Sequence, residues 1–240
     1  SEPAPKENVM AGSTALLRIT LTTLLLGLSL GLSASEDPPT VTEEGLVLVK
    51  NANFALVYAD PQADLSGYDS VIATDTYVAF RKNWRRDHNR GSAGARVTTN
   101  DMDRIKKRLS DEFDSVFAEA LTENDGWTLA EEPGENVLLL RPAIINLDVV
   151  APDTMSAGMN RTYAEQAGEM TLYLEVRDSV SGALIAKGLD RQADRRRGYM
   201  QWQSRTQNTQ AARSILKGWA VALREGLDHA VAGDPVEFAE

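Results

Sequence analysis

The chain has 240 residues, with 25 Lys and Arg against 35 Asp and Glu, two histidines and no cysteine. This length is sufficient for one domain with a hydrophobic core. The formal net charge of −10 argues against a general nucleic-acid-binding protein, which needs a basic surface. The absence of cysteine excludes thiol catalysis, disulfides, zinc fingers and iron–sulfur clusters. Two histidines provide few ligands for a metal site, and we expect no cofactor.

The N-terminal residues have the pattern of a secretory signal peptide. Arg18 precedes an apolar run from Ile19 to Leu32, which ends at the small residues Ser33-Ala34-Ser35. A charged start, a short apolar segment and a small-residue exit are typical of such a signal. A transmembrane anchor is the alternative, but this run is shorter than the roughly 20 apolar residues that a span requires. We therefore expect residues 1–35 to be a signal peptide.

Two details refine this expectation. The chain begins with Ser1, and Met10 lies just before the apolar run, so residues 1–9 are predicted to be an extension ahead of the true start. No cysteine follows the predicted cleavage site, which excludes attachment of a lipid there. We expect no stable transmembrane anchor in the mature protein.

The remaining chain is predicted to form one domain. Residues 36–45 combine a Pro-Pro pair with acidic side chains, which is typical of a linker. Residues 234–240 resemble them and are predicted to be a short acidic tail. No internal repeat separates them, so residues 46–233 are predicted to be a single domain.

Apolar and alternating segments predict strands at 46–49, 54–58 and 70–80, two strands around a turn at 131–136, and a hairpin over 169–191. The hairpin has the clearest pattern. Met170, Leu172, Leu174 and Val176 alternate with more polar residues, and the following loop contains Gly182. Connections of this kind predict a mainly antiparallel sheet.

Apolar residues at three- and four-residue spacing predict two helices, over 100–124 and 207–231. Asn100 is the predicted N-cap of the first. We therefore expect an α+β fold with a single mainly antiparallel sheet of four to five strands and two main helices packed on one face.

No phosphate-binding glycine loop, zinc-protease helix or nucleophile elbow is present. Ser214 and Lys217 match an S-x-x-K pattern, but in mid-helix and without its partner motifs, so we interpret them as a solvated helix face. Asp60, Asp64 and Asp148 are candidate carboxylates for a hydrolase. Aspartates in turns more often bond their own backbone.

Charge placement is the strongest feature outside the predicted core. Residues 81–108 carry ten basic and three acidic side chains, and residues 177–205 carry seven and three. Arginine beside exposed aromatic rings suits an anionic ligand. The candidate patch consists of Arg85, Arg86, Arg195, Arg196, Arg197, Trp84 and Trp202. The alternative is that these residues are solvated or pair with acids of the chain. His88 and His229 are interpreted as surface residues.

Several segments, taken in their order along the chain, resemble those of a known protein family. They are DLSGYDSVIATDTYVAF, RPAIINLDVV, LEVRDSVSGALIAKGLDR and WAVALREGLD, within residues 46–230. Tyr68 and the Arg177-Asp178-Ser179 turn with Gly182 are the most specific pieces. The chain resembles an uncharacterised family of exported Gram-negative envelope proteins, known only as a domain of unknown function, in which many members look like lipoproteins. The resemblance implies no catalytic residue, and the missing cysteine departs from the lipoprotein pattern.

These observations lead to two hypotheses about function. The first is a non-enzymatic periplasmic protein, a binding or assembly accessory of the envelope. Its basic segments would contact an acidic envelope protein, a lipid headgroup or a glycan. The second is a carboxylate-dependent hydrolase acting on envelope glycans or esters through Asp60, Asp64 or Asp148. It requires two of these acids to meet in one cleft.

Overall fold

The computed structural model describes residues 37–91, 96–124, 126–149, 162–164, 166–195, 201–203 and 205–240. Residues from Pro39 to Glu240 form one compact unit. Among the described residues, no helix combines the length and apolar character needed to span a membrane. The predicted signal peptide, its cleavage site and the extension before Met10 lie outside the described residues.

In the described residues, eight strands form the main sheet. Its order is β1-β2-β9-β8-β6-β3-β5, and β4 also pairs with β6. The bounds are β1 Val47–Leu48, β2 Leu56–Ala59, β3 Ser70–Ala73, β4 Tyr77–Phe80, β5 Thr128–Leu129, β6 Val137–Val149, β8 Gln166–Asp178 and β9 Leu184–Arg195. Two further strands, β7 Thr162–Ala164 and β10 Gln201–Gln203, form a separate two-stranded sheet.

The predicted four-to-five-strand, mainly antiparallel sheet is wrong: the sheet has eight strands and is mixed. The strands β3 and β4 run parallel to β6, and β5 runs parallel to β3. The other pairs are antiparallel, including the confirmed hairpin of β8 and β9. Parallel pairing arises because a helical crossover connects β4 to β6 and returns the chain in its original direction. Extending the hairpin pattern to every connection caused the error.

The segment predicted as one strand over 70–80 is two strands. The first, β3, pairs with the beginning of β6, and β4 pairs with its second half. Hydrogen bonds attach the residues between the two strands to a helix. Thr76 donates to the Asp114 carboxylate at 2.6 Å, and Ser110 donates to the Thr76 carbonyl at 2.9 Å. Burial raises the pKa of Asp114. Because Thr76 is itself buried, these bonds satisfy polar groups that water cannot reach.

The described residues contain three helices: α1 Trp84–Gly91, α2 Thr99–Thr122 and α3 Arg205–Ala232. The helices α2 and α3 were predicted, and α1 was missed. The N-cap of α2 is Thr98 and not the predicted Asn100. Thr98 and Asp101 form a capping box in which the Thr98 hydroxyl accepts from the Asp101 amide and the Asp101 carboxylate accepts from the Thr98 amide.

The core lies between α2, α3 and one face of the sheet. Its largest fully buried members come from both layers. They are Phe113 and Leu121 of α2, Leu216 of α3, and Leu138, Leu140, Ile144 and Leu172 of the central strands. Met170, Leu172, Leu174 and Val176 all belong to this core, as the alternation in the sequence predicts.

The C-terminal end of α2 is held by α3. Arg224 donates to the carbonyls of Ala120, Leu121 and Glu123 at 3.1, 2.9 and 3.1 Å. These carbonyls have no partner within the helix, and a cation near them complements the helix dipole. A side chain at Gly126 would overlap the Arg224 guanidinium and the Leu121 carbonyl. Glycine is therefore required at 126 to let Arg224 reach the helix end.

Both terminal segments of the compact unit pair with the sheet. Val41 forms a β-bridge with Val47, and Val49 forms one with Phe238. Lys50 also forms an ion pair with Glu237 at 3.3 Å. The segments predicted as a linker and a short acidic tail thus contribute backbone hydrogen bonds to the edge strand β1.

Candidate anion-binding surface

The helix α1 is attached to the protein by its aromatic side. Trp84 stacks on Phe80 of β4 at 4.3 Å between ring centroids, and His88 stacks on Trp84 at 5.3 Å. Trp84 is only 2% exposed. The prediction that Trp84 is an exposed aromatic of the patch is therefore wrong, because positions four residues apart in a helix share a face and here that face is inward.

The opposite side of α1 carries arginine. Arg85, Arg86 and Arg90 are exposed, and exposed Lys82 and Arg96 flank the helix. Arg85 donates to the Thr99 hydroxyl at 2.6 Å, and Arg86 forms an ion pair with Asp87 at 3.2 Å. Within the part of the chain that the structure describes, Lys82, Arg90 and Arg96 have no ion pair. We call these five residues the cationic end.

One arginine of the same segment has a structural position instead. Arg81 donates to Asp148 at the end of β6 at 2.7 Å and to Asp87 of α1 at 3.1 Å. These bonds raise the pKa of Arg81, and the one to Asp87 lowers the pKa of that carboxyl group. Arg81 thus connects α1 to the sheet, so we do not include it among the residues that could bind a ligand.

The second basic segment leads to the same end of the sheet. Arg195 is the last residue of β9, and β9 pairs through β8 with β6. Ala193 lies opposite Glu169, which lies opposite Asp148. Two strand spacings of about 4.8 Å separate the end of β9 from the end of β6, beside α1. Arg196 and Arg197, and the side chains of Arg195 and Trp202, lie outside what the structure describes.

Acidic side chains gather at the opposite end of the sheet. Glu123 follows α2, and Glu131, Glu132 and Glu135 lie on the loop between β5 and β6. All four are exposed and form no ion pair with any described residue. We call these four residues the acidic end. It lies where β6 begins and the cationic end where β6 finishes, a distance of about 40 Å for a strand of this length.

The candidate hydrolase carboxylates do not meet. Asp60 and Asp64 accept from the backbone amides two residues ahead, at 2.9 Å each. These are the self-bonded turns that aspartate commonly forms. The backbone amide of Asp60 donates to the Ile185 carbonyl at the start of β9. Asp148, by contrast, is bound to Arg81 at the far end of the sheet. The structure therefore does not bring these acids into one cleft.

Other candidate residues are also accounted for. Ser214 and Lys217 are exposed on the middle turns of α3, as interpreted from the sequence. His229 is exposed and contacts Asp234 at 2.5 Å, which raises its pKa. His88 is half-buried and not a surface residue, and burial lowers its pKa. Among the described residues, no group of three or more His, Asp or Glu side chains is able to hold a metal ion.

The residues that carry the family resemblance lie together. The Tyr68 hydroxyl donates to Asp178 at 3.0 Å, across 110 positions of sequence. Asp178 in turn accepts from the Ser181 hydroxyl at 2.5 Å and from the Ser181 amide at 2.6 Å, and the hydroxyl contact is the largest cause of its lowered pKa. Ser179 donates to the Gly134 carbonyl at 3.0 Å. These contacts fasten three loops to one another, so the most specific residues of the resemblance have a structural role.

Comparison with models of known protein families identifies the family of this chain. The family model "Protein of unknown function (DUF3313)" matches residues 47–223. No curated protein matches the chain.

Solved structures of low similarity include the PelC dodecamer from Paraburkholderia phytofirmans, with 11% identity, a TM-score of 0.35 and coverage of 70% of this chain and 96% of that one. A Xanthomonas campestris protein of the DUF330 family has 14% identity, a TM-score of 0.39 and coverage of 73% and 92%. A minor lipoprotein from Acinetobacter baumannii has 10% identity, a TM-score of 0.33 and coverage of 72% and 98%. With TM-scores below 0.5, these likenesses assign no function. The match over residues 47–223 shows that the chain belongs to the DUF3313 family of proteins of unknown function.

Proposed function

We propose that this protein is an exported protein of the bacterial envelope, located in the periplasm, which binds an anionic partner through its cationic end. The role is that of a binding or assembly accessory and involves no catalysis. The predicted signal sequence over residues 1–35 supports export. The partner is an acidic envelope protein, a lipid headgroup or a glycan.

The orientation of α1 is the observation that carries this proposal. Trp84 and His88 attach the helix by one side, so Arg85, Arg86 and Arg90 are held on the other. A helix anchored in this way presents guanidinium groups at fixed spacing, which lowers the entropy lost when they bind. Guanidinium forms paired hydrogen bonds with carboxylate or phosphate groups, so both kinds of anion fit this surface.

The test is capture of partners from intact cells. Cells expressing the full chain are treated with a cross-linker, and the protein is purified with whatever is attached to it. We expect R85E/R86E to lose most of the captured material because the reversed charges repel an anionic partner. The control is R213E/K217E, which makes the same change in net charge at two exposed positions of α3.

Equal capture by R85E/R86E and the wild type would refute the role of the cationic end. Equal loss by R213E/K217E would show an effect of net charge alone. Cell fractionation and N-terminal sequencing of the purified chain test export separately: recovery in the cytoplasm with residues 1–35 intact would refute the periplasmic location.

A further inference from the structure

The cationic end and the acidic end lie at opposite ends of β6 and of α2. The helix α2 begins beside the cationic end, where Asn89 of α1 pairs with the backbone of Val97 at 2.8 and 3.0 Å. It ends beside the acidic end, where Glu123 follows it. A helix of this length spans about 36 Å. The two ends of one copy therefore cannot contact each other.

Helix stability does not explain this separation. In α2, beyond the acidic residues Asp101 and Asp103 near its N-terminus, the basic residues Arg104, Lys106, Lys107 and Arg108 precede the acidic residues Asp111, Glu112, Asp114 and Glu119. A helix is stabilised by the reverse order, with acids near its N-terminus and bases near its C-terminus. The pair of Lys107 with Asp111 likewise has the less favourable orientation for positions four apart. Apart from Asp101 and Asp103, the side chains of α2 therefore change from basic to acidic in the same direction as the charge changes from the cationic end to the acidic end.

The acidic end also carries apolar surface. Val180, in the turn between β8 and β9, is 64% exposed, and Leu129 of β5 is 45% exposed. Both adjoin the loop between β5 and β6 that carries the glutamates. The Ser179 hydroxyl, next to Val180, donates to the Gly134 carbonyl in this loop, and Leu129 immediately precedes the loop. Apolar side chains within a polar rim are typical of a protein–protein contact. Arg177 and Arg224 also lie at this end, but they donate to the carbonyls of Gly182 and Leu121 and form no ion pair with the four described glutamates.

We propose that the acidic end of one copy binds the cationic end of a second copy, so that the chain associates head to tail. This rests on the proposed function of the cationic end and names the chain itself as an anionic partner. Because the two surfaces differ and lie at opposite ends, the contact is heterologous and generates a ring or an open chain of copies. Their opposite charges align the copies as they approach, which speeds association.

Charge reversal at each end, followed by mixing, tests the proposal. We expect sedimentation of the purified full-length chain at low salt, about 50 mM, to show assemblies that dissociate near 1 M salt because screening shortens the range of the attraction. R85E/R86E alone and E131K/E132K alone should each weaken association by about tenfold or more. Their mixture should associate again, since the unchanged acidic end of R85E/R86E still pairs with the unchanged cationic end of E131K/E132K.

Three outcomes would overturn the proposal: a monomer at all concentrations and salt levels, a mixture that remains dissociated, or association unaffected by E131K/E132K. A parallel arm mixes the chain with vesicles of anionic or zwitterionic lipid. Binding to anionic vesicles that is lost in R85E/R86E but retained in E131K/E132K, with no self-association, assigns the cationic end to lipid. The proposed function would then survive while the head-to-tail inference fails.

Discussion

Two groups of arginines in this protein, one on the sheet and one on α1, differ in what they contact. On the sheet, Arg141 and Arg177 donate to Glu175 at 3.3 and 2.9 Å, and Tyr173 donates to it at 2.9 Å. Glu175 is only 6% exposed, so this carboxylate depends on those donors. On α1, Arg85 and Arg86 face solvent. An arginine beside a buried acid therefore has a structural role, whereas an arginine that faces solvent remains available to bind a ligand.

The largest expected effect is at the buried acid. Glu175→Ala should lower the free energy of unfolding by about 3 kcal/mol, because Arg141, Arg177 and Tyr173 all lose the carboxylate to which they donate. Urea denaturation measures this, with Glu169→Ala as the control at a more exposed ion pair with Arg191. Equal effects of the two substitutions would show that burial of Glu175 does not distinguish the sheet arginines from those on the surface.

Arg224→Ala should have the next largest effect, about 2 kcal/mol, because three carbonyls of α2 lose a charged donor. Arg213 offers a matched control on the same helix, since it is exposed and, among the described residues, its ion pair is with Glu112, at 3.1 Å. Thermal and urea unfolding should show little change for Arg213→Ala. A result in which both arginines matter equally would contradict the assignment of Arg224 as the cap of α2.

Removal of the Tyr68 hydroxyl should cost about 1 kcal/mol, the usual contribution of one partly buried hydrogen bond. Tyr68→Phe keeps the ring and removes only the donor to Asp178. Tyr77→Phe, at a tyrosine that is 65% exposed, is the comparison and should leave unfolding unchanged. If Tyr68→Phe were equally silent, the contact between these family-specific residues would not stabilise the fold.

The two histidines should give opposite dependences on pH. Burial holds the pKa of His88 below 6.5, so the unfolded chain binds more protons, and stability falls as pH decreases below that value. Asp234 raises the pKa of His229, so its contribution is present at lower pH and is lost as pH rises through the folded pKa. Unfolding curves of His88→Phe and His229→Gln between about pH 5 and pH 8 separate the two. A steeper acid loss in His88→Phe than in the wild type would contradict this.

The smallest effect on stability is expected at the cationic end. R85E/R86E should change the free energy of unfolding by less than about 0.5 kcal/mol, because both side chains are exposed and hold only surface contacts. Circular dichroism and urea denaturation check this before any capture experiment is interpreted. Destabilisation comparable with that of Glu175→Ala would place these arginines in the structural group.

Much of the secondary structure could be predicted because its signals are local. The helices α2 and α3 and the β8–β9 hairpin follow from apolar spacing, which reports which side of an element is buried. The short helix α1 was missed because Trp84 is the only buried residue among its described side chains, in a highly charged segment. The spacing of four between Trp84 and His88 was a signal, yet the surrounding arginines favoured a solvated loop. The same oversight made Trp84 a predicted surface residue.

The candidate site was predicted in part. Exposure of Arg85 and Arg86 agrees with the sequence interpretation, whereas Arg81, which was included in the basic charge of residues 81–108, is bound to Asp148 and Asp87. Asp148 lies 67 positions away from Arg81, and no local pattern links them. The acidic end was not predicted, because its glutamates adjoin Val180 only after the β8–β9 turn packs beside the preceding loop.

By itself the sequence determined the exclusions that follow from composition, the two long helices, the hairpin and the family. These depend on residue types and short spacings, which folding leaves unchanged. Only the tertiary structure decided the parallel pairing of β3 and β4 with β6, the inward side of α1, and the placement of opposite charges at opposite ends. Each of these depends on which distant segments meet, and that is set by packing the whole core at once.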